Sequence, residues 1–229
     1  MEYRNELKYV VSSNDLFILD NRLKCLFKLD PTAKAKMYNV RSVYFDSYDN
    51  KCFYENESGI NERFKMRIRI YNNSIDDIKL EIKYKKNGFS RKESCLINKE
   101  LCEKILSGKK VEYKECINKV LRKLYIEQNT NCFIPKIIVE YDRVAYVDKI
   151  GNMRITFDTN IRASNHLNSF FDKNIYARPI LDNNMHILEI KYDEILPNYV
   201  VKELELIHLK RTSFSKYYLS RVAFKEEVL

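Results

Sequence analysis

Arg63-Phe64-Lys65-Met66-Arg67-Ile68-Arg69-Ile70-Tyr71 sets cations at four successive odd positions and Phe, Met, Ile and Ile at the even ones. Alternation of period two is a β-strand with one apolar face and one densely positive face. Like charges crowded on one strand face repel, so this face needs an anion among its side chains. The same parity recurs outward along the chain. In 4–11, Glu6 and Lys8 oppose Leu7 and Tyr9; in 78–86, Lys79, Glu81, Lys83 and Lys85 oppose Leu80, Ile82 and Tyr84. Asn87-Gly88 is a hairpin signal leading to a strand at about 89–97. Further strands are expected at 38–46, 136–147, 152–159 and 186–193, with a turn around Lys149-Ile150-Gly151.

Helical periodicity fills much of the rest. Ser12 or Ser13 caps a helix over about 14–28, whose Leu16, Leu19, Leu23 and Leu26 share one side. Similar patterns cover about 99–107, 114–128, 199–208 and 214–226. A polar connection joins 38–46 to the cationic strand, and 160–184 reads as loop. No fixed-period repeat or low-complexity linker interrupts the chain, so one domain is expected over 1–229.

The 229 residues are 45% hydrophobic and 13% aromatic, enough for a proper core. Lysine plus arginine number 41 against 32 acids, a net charge of +9 that favours an anionic partner. The six cysteines (Cys25, Cys52, Cys95, Cys102, Cys116 and Cys132) show no paired spacing, which reads as reduced thiols in a cytoplasmic protein. His166, His186 and His208 lack metal-ligand spacing. Residues 1–12 mix charge throughout, unlike a signal peptide, and no apolar run approaches the ~20 residues that span a bilayer. With four glycines and no G-x-x-x-x-G-K-[ST] or G-x-G-x-x-G, a glycine loop around phosphate is not expected.

An ordinary two-sided sheet would leave each charged face in water. Here six strands carry Arg or Lys with an occasional Glu on one face and Leu, Ile, Phe and Tyr on the other. Amphipathic helices can cover the apolar faces. The fold expected is therefore α+β: an eight-stranded antiparallel β-barrel, charges inward, helices packed outside. A cation-lined interior needs an anion, because unpaired buried charge is expensive. A polyphosphate chain fits that space; a nucleic-acid duplex does not, and single-strand binding would need exposed aromatic platforms.

Phosphate recognition wants converging Arg and Lys. Candidates are Lys8, Arg67, Arg69, Lys83, Arg143, Arg154 and Lys216. Glu6, Glu81 and Glu189 share faces with these cations; they suit either a divalent metal bridging phosphate oxygens or cross-strand ion pairs. Phosphoryl transfer relies on positioning and charge neutralisation, so the absence of a Ser/His/Asp or Cys/His set is no obstacle.

Eight short motifs in order carry a resemblance. They are Glu6-Leu7-Lys8-Tyr9, Arg41-Ser42-Val43-Tyr44-Phe45-Asp46, Phe64 to Tyr71, Leu80-Glu81-Ile82-Lys83, Tyr141-Asp142-Arg143, Arg154-Ile155-Thr156-Phe157-Asp158, Leu188-Glu189-Ile190-Lys191-Tyr192 and Ser215-Lys216-Tyr217. Over about residues 3–218 the chain resembles the vacuolar transporter chaperone (VTC) polyphosphate polymerases in their bacterial form, within the triphosphate tunnel metalloenzymes.

The resemblance implies an eight-stranded tunnel that binds triphosphate or polyphosphate with Mn²⁺ or Mg²⁺. It further implies transfer of the ATP γ-phosphate to a growing polyphosphate chain, with Arg67, Arg69, Lys83 and Glu189 as the catalytic set. By motif, Lys8, Arg67, Arg69, Lys83, Arg143 and Arg154 would hold phosphates, and Glu189 the metal. Lys216 would add a contact at a helix N-terminus. Lys92 would be a further basic position after the hairpin. Two positions depart from the family pattern. Arg4 stands where the wider superfamily often has the first Glu of Glu-x-Glu-x-Lys, as expected of a polymerase rather than a hydrolase. Lys85 stands where eukaryotic polymerases carry His. The alternatives are a tripolyphosphate or nucleoside triphosphate hydrolase on the same tunnel, and a non-catalytic polyphosphate or inositol-phosphate binding module. Coupling to a membrane would need a separate protein.

Overall fold

The structure, a computed structural model, describes residues 4–31, 35–205 and 209–225. The alternating segments become strands: β1 (Asn5–Ser12), β2 (Lys28–Leu29), β3 (Met37–Asp46), β4 (Arg63–Tyr71), β5 (Lys79–Lys86), β6 (Phe89–Leu96), β7 (Ile134–Asp148), β8 (Met153–Ser164), β9 (Arg178–Pro179) and β10 (Met185–Tyr192). Eight of them form one antiparallel sheet in the order β1-β10-β8-β7-β3-β4-β5-β6, with β2 added to β7 and β9 to β8. The sheet curls until its edge strands meet. Arg4, just before β1, and Ser90 on β6 exchange backbone hydrogen bonds of 3.0 and 3.1 Å. Farther along β1, the segment before the last helix fills the seam: Thr212 N donates to Lys8 O at 2.8 Å, and Tyr9 bridges Arg211. The result is an α+β fold around an eight-stranded antiparallel barrel.

The apolar parity faces outward and is covered by helices α1 (Ser13–Leu26), α2 (Lys51–Glu57), α3 (Lys99–Leu106), α4 (Lys119–Thr130), α5 (Asn198–Glu205) and α6 (Lys216–Lys225). Tyr9, Val11, Leu188, Ile190, Ile155 and Phe157 pack with Leu19 and Leu23 of α1 and Val200 of α5. On the other side, Met66, Ile68, Leu80 and Ile82 share a buried cluster with Cys102, Ile105, Leu121 and Leu124 of α3 and α4. Burying each such side chain stabilises the fold by about 1.5–3 kcal/mol. No helix among the described residues is long and apolar enough to cross a membrane, and all six cysteines are free.

Several elements differ from the sequence expectation, each for a local reason. Ser12 caps α1 in a capping box with Asp15, so the helix starts at Ser13 and ends at Leu26, whose side chain is exposed. The helix expected over 114–128 begins only at Lys119, because Asn118 turns its side chain onto Val120 N and Leu121 N. The polar connection after β3 contains α2, capped by Asp46 rather than by its own N-cap residue: Asp46 accepts from Cys52 N and Phe53 N at 2.7 and 3.0 Å. Strand β8 runs to Ser164, past the 159 expected, through a register shift opposite Glu140–Asp142 with Asn160 at φ +50°. Of the helix expected over 199–208, residues 206–208, including His208, lie outside the described set.

Candidate functional site

In an antiparallel pair, residues directly opposite share a face. The register sets Lys8 opposite Glu189, Arg67 opposite Glu81, Lys83 opposite Lys92, Arg143 opposite Asp158, and Lys191 opposite both Glu6 and Arg154. Eight of the nine sequence-predicted site residues thus come together on the inner face of the barrel. The ninth, Lys216, enters as the first residue of α6 and reaches Asp158 Oδ2 at 2.6 Å.

The inner charges form linked clusters. Glu81, with no exposed surface, accepts Arg67 Nε and Lys92 Nζ, both at 2.8 Å, with Arg69 Nη1 at 3.8 Å. Asp158, equally buried, takes the Arg143 fork at 2.6 and 2.7 Å as well as Lys216. Glu6 binds Lys83 at 2.7 Å and lies 3.4 Å from Lys8, whose Nζ also donates to Phe214 O at 3.0 Å. Glu189 pairs with Lys191 at 2.7 Å. Arg154 binds Asp30 at 2.6 Å and the Tyr38 hydroxyl at 3.1 Å. Among the described residues, the inner carboxylates Glu6, Glu81, Asp158 and Glu189, with Asp30 on Arg154, face a larger set of cations that includes Lys8, Lys65, Arg67, Arg69, Lys83, Lys92, Arg143, Arg154, Lys191 and Lys216. The excess remains open to solvent, since the side chains of Lys83, Arg154 and Lys191 are about a third exposed and that of Lys92 is 45% exposed.

Acidity follows from this crowding. Burial pushes Glu81 up, but Arg67, Arg69 and Lys92 more than offset it and hold the carboxyl well below the usual range. Glu189 is also held well below, with Lys191 and Lys8 overcoming burial. Asp158 falls to about 2 for the same reason, through Arg143 and Lys216. The cations without enough anion move the other way. Burial, helped by Lys8 and Lys191, lowers Lys83 to about 8 despite Glu6. Lys65 is driven well below an ordinary lysine by burial and by Lys8, Arg63 and Lys83. Lys8, Arg67, Arg69 and Arg143, held by carboxylates and tyrosine hydroxyls, move upward despite burial, so the shortage of negative charge falls on Lys83 and Lys65.

Of the three glutamates weighed as metal ligands, Glu81 is consumed by ion pairs. No group of three or more His, Cys, Asp or Glu side chains with metal-binding geometry occurs among the described residues. Glu6 and Glu189 nevertheless lie side by side, close enough for each to act on the other's acidity. Mg²⁺ or Mn²⁺ held by one or two carboxylates and otherwise by phosphate oxygens matches this donor set.

Other side chains contribute that the motifs alone do not single out. Lys65 reaches Ser215 Oγ at 2.7 Å. The Tyr44 hydroxyl accepts from Arg67 at 2.9 Å, and Tyr141 and Ser42 accept from Arg69 at 3.1 and 3.0 Å. Their signal was parity: Tyr44 lies opposite Arg67 and Ser42 opposite Arg69. A surface crevice of about 440 Å³ along Pro179–Asn183 and Ala223 is lined by none of these charges.

The fold has solved counterparts. A Bacillus halodurans protein described as a candidate adenylate cyclase superposes with a TM-score of 0.54 at 14% identity, covering 93% of this chain and 94% of that one. The PH1819 protein of Pyrococcus horikoshii OT3 gives 0.52 at 13% identity, covering 96% and 99%. No curated protein matches by sequence. The VTC domain profile matches residues 3–225, and the chain belongs to the VTC domain family.

Proposed function

We propose that this protein is a metal-dependent polyphosphate polymerase: the barrel binds the triphosphate of ATP and the end of a polyphosphate chain, and the γ-phosphoryl group passes from one to the other. Family membership and the tunnel fold support a triphosphate-related function. The observation that carries the reading is the excess of inner cations over inner carboxylates. Like charges held this close are tolerable when a polyanion completes the site, and a linear phosphate chain supplies charge along its whole length.

Phosphoryl transfer to a polyphosphate end asks for alignment and charge neutralisation rather than for a general base. A polyphosphate terminus is already ionised and needs only to be aligned. Arg67 and Arg69 would neutralise charge developing on the transferred group. Lys8, Lys83, Lys92, Arg143, Arg154 and Lys216 would hold the remaining phosphates. Glu189, with Glu6 beside it, would hold Mn²⁺ or Mg²⁺, which when bound screens charge on the phosphate oxygens.

Incubation with ATP and Mn²⁺ should yield acid-precipitable polyphosphate from the wild type and none from Arg67→Ala. Tight tripolyphosphate binding without turnover would instead identify a binding module.

A further inference from the structure

Two residues of the recognised motifs, Asp46 and Tyr217, carry no charge into the barrel's cation set, yet they meet in a densely bonded buried contact. Asp46 lies at the end of β3 with no exposed surface. Its Oδ1 accepts from Ser47 N and Cys52 N at 2.8 and 2.7 Å, and its Oδ2 accepts from Phe53 N at 3.0 Å and from the Tyr217 hydroxyl. Arg221, one turn along α6, donates to that same hydroxyl at 2.9 Å and to Asn50 Oδ1 at 2.8 Å. Tyr218 stacks on Phe53 of α2 with centroids 5.1 Å apart. The first turn of α6 is therefore pinned to the end of β3 and to α2.

That turn is also where the chain enters the barrel. Lys216, next to Tyr217, is ion-paired to Asp158, and Ser215 accepts from Lys65. The Tyr217 ring packs against Tyr44, whose hydroxyl accepts from Arg67. One phenol thus joins the Asp46 anchor to the inner cations from two directions. A ten-residue helix frays readily at its start without such an anchor, and a lysine on a frayed turn could not hold a defined place among phosphates.

We infer that Asp46 and Tyr217 are positioning residues: the Asp46–Tyr217 hydrogen bond, braced by Arg221, sets the register of the α6 start and thereby holds Lys216 at Asp158 inside the barrel. The functional weight of this latch rests on the proposed reading of the barrel as a polyphosphate site; its geometry does not. Tyr217→Phe is the informative change, because it removes one hydroxyl and keeps the ring against Tyr44. Asp46→Asn is the second variant, which retains shape while weakening the acceptor.

Competitive acylation of the full-length protein, read lysine by lysine by mass spectrometry, tests the latch without any ligand. Lys83 and Lys191, which pair with Glu6 and Glu189 and bond nothing in the α6 segment, serve as internal references. Both variants should raise Lys216 labelling several-fold relative to Lys83 and Lys191. An unchanged ratio, or a parallel rise at all three lysines from general loosening, would overturn the inference. Tripolyphosphate titration by calorimetry then addresses function separately. Tyr217→Phe should weaken binding in the wild type and have no further effect in a Lys216→Ala background, whereas equal loss in both backgrounds would mean that Tyr217 does not act through Lys216. Failure of the wild type to bind tripolyphosphate would count against the polyphosphate reading, while the labelling ratio still decides the latch.

Discussion

Lys83 on β5 and Glu6 on β1 meet across the seam of the barrel, with Lys83 Nζ 2.8 and 2.7 Å from the two carboxylate oxygens. This contact ties the last but one strand of the sheet to the first, and it puts a lysine lowered to about 8 at the centre of the cation set. Free Lys83 loses its proton above pH 8, whereas a bound polyanion favours the charged form. Affinity for tripolyphosphate should therefore fall as pH rises through about 8, by up to about tenfold per unit from this group. Lys83→Arg should flatten the profile; an unaltered slope in that variant would contradict the assignment. For folding the sign is opposite. The unfolded lysine keeps its proton to higher pH, so the penalty for charging Lys83 is present below 8 and fades between 8 and 10.5.

Glu81 is the counter-charge of Arg67, Arg69 and Lys92, and it has no exposed surface. Glu81→Gln leaves three crowded cations without it and should destabilise the protein by about 3 kcal/mol. An added polyanion takes over part of that role. In a thermal melt, tripolyphosphate should raise the Tm of the variant by more than that of the wild type. Equal shifts would mean that the ligand does not approach this cluster.

Glu6 and Glu189 are engaged by Lys83, Lys8 and Lys191 before any metal arrives. Added Mn²⁺ enters a neighbourhood whose net charge is not negative, so it should bind weakly alone and about 5–150-fold more tightly once tripolyphosphate is present. Reciprocity requires Mn²⁺ to strengthen tripolyphosphate binding by the same factor. Glu189→Gln should abolish the coupling and spare metal-free tripolyphosphate binding. Electron paramagnetic resonance of Mn²⁺ reads both quantities, and tight binding of the metal alone would count against this arrangement.

Not every buried ion pair serves the barrel interior. On its outer surface Arg41, 1% exposed, bonds Glu140 Oε1 at 2.9 Å and the carbonyls of Phe170 and Asp172, while Arg162 takes Glu140 Oε2 at 3.0 Å. Glu140→Ala strands a buried guanidinium and should lower stability by about 3–5 kcal/mol. Chemical denaturation checks that value. Tripolyphosphate affinity, measured in the same sample, should not change.

Much of this was readable from parity alone. The alternation of Arg63–Tyr71 predicts both the strand and which side chains share a face, because a strand cannot turn one residue without turning them all. The Asn87-Gly88 turn was equally plain, with φ of +50° and +84° as a tight hairpin requires. Closure of the sheet was inferred from six faces of like composition, and Arg4 meeting Ser90 is its physical form. What stays hidden depends on side-chain contacts that no periodicity encodes. The capping of α2 by Asp46 comes from the end of a strand, and the Tyr217–Asp46 contact spans 171 positions. Glu81 suits a metal ligand or an ion-pair partner by parity alone, and the three cations around it make it the latter. The tyrosines facing Arg67 and Arg69 were hidden for another reason: the aromatic residues on the inner and outer faces look alike in composition and differ only in register.

The most direct test of the account is the identity of the phosphorus species formed when the purified protein is given ATP and Mn²⁺. Phosphorus NMR should show ADP together with the internal resonances of a polyphosphate chain, and neither in Arg67→Ala. ADP with orthophosphate alone, or ATP left intact, would contradict the claim that this barrel joins phosphate to phosphate.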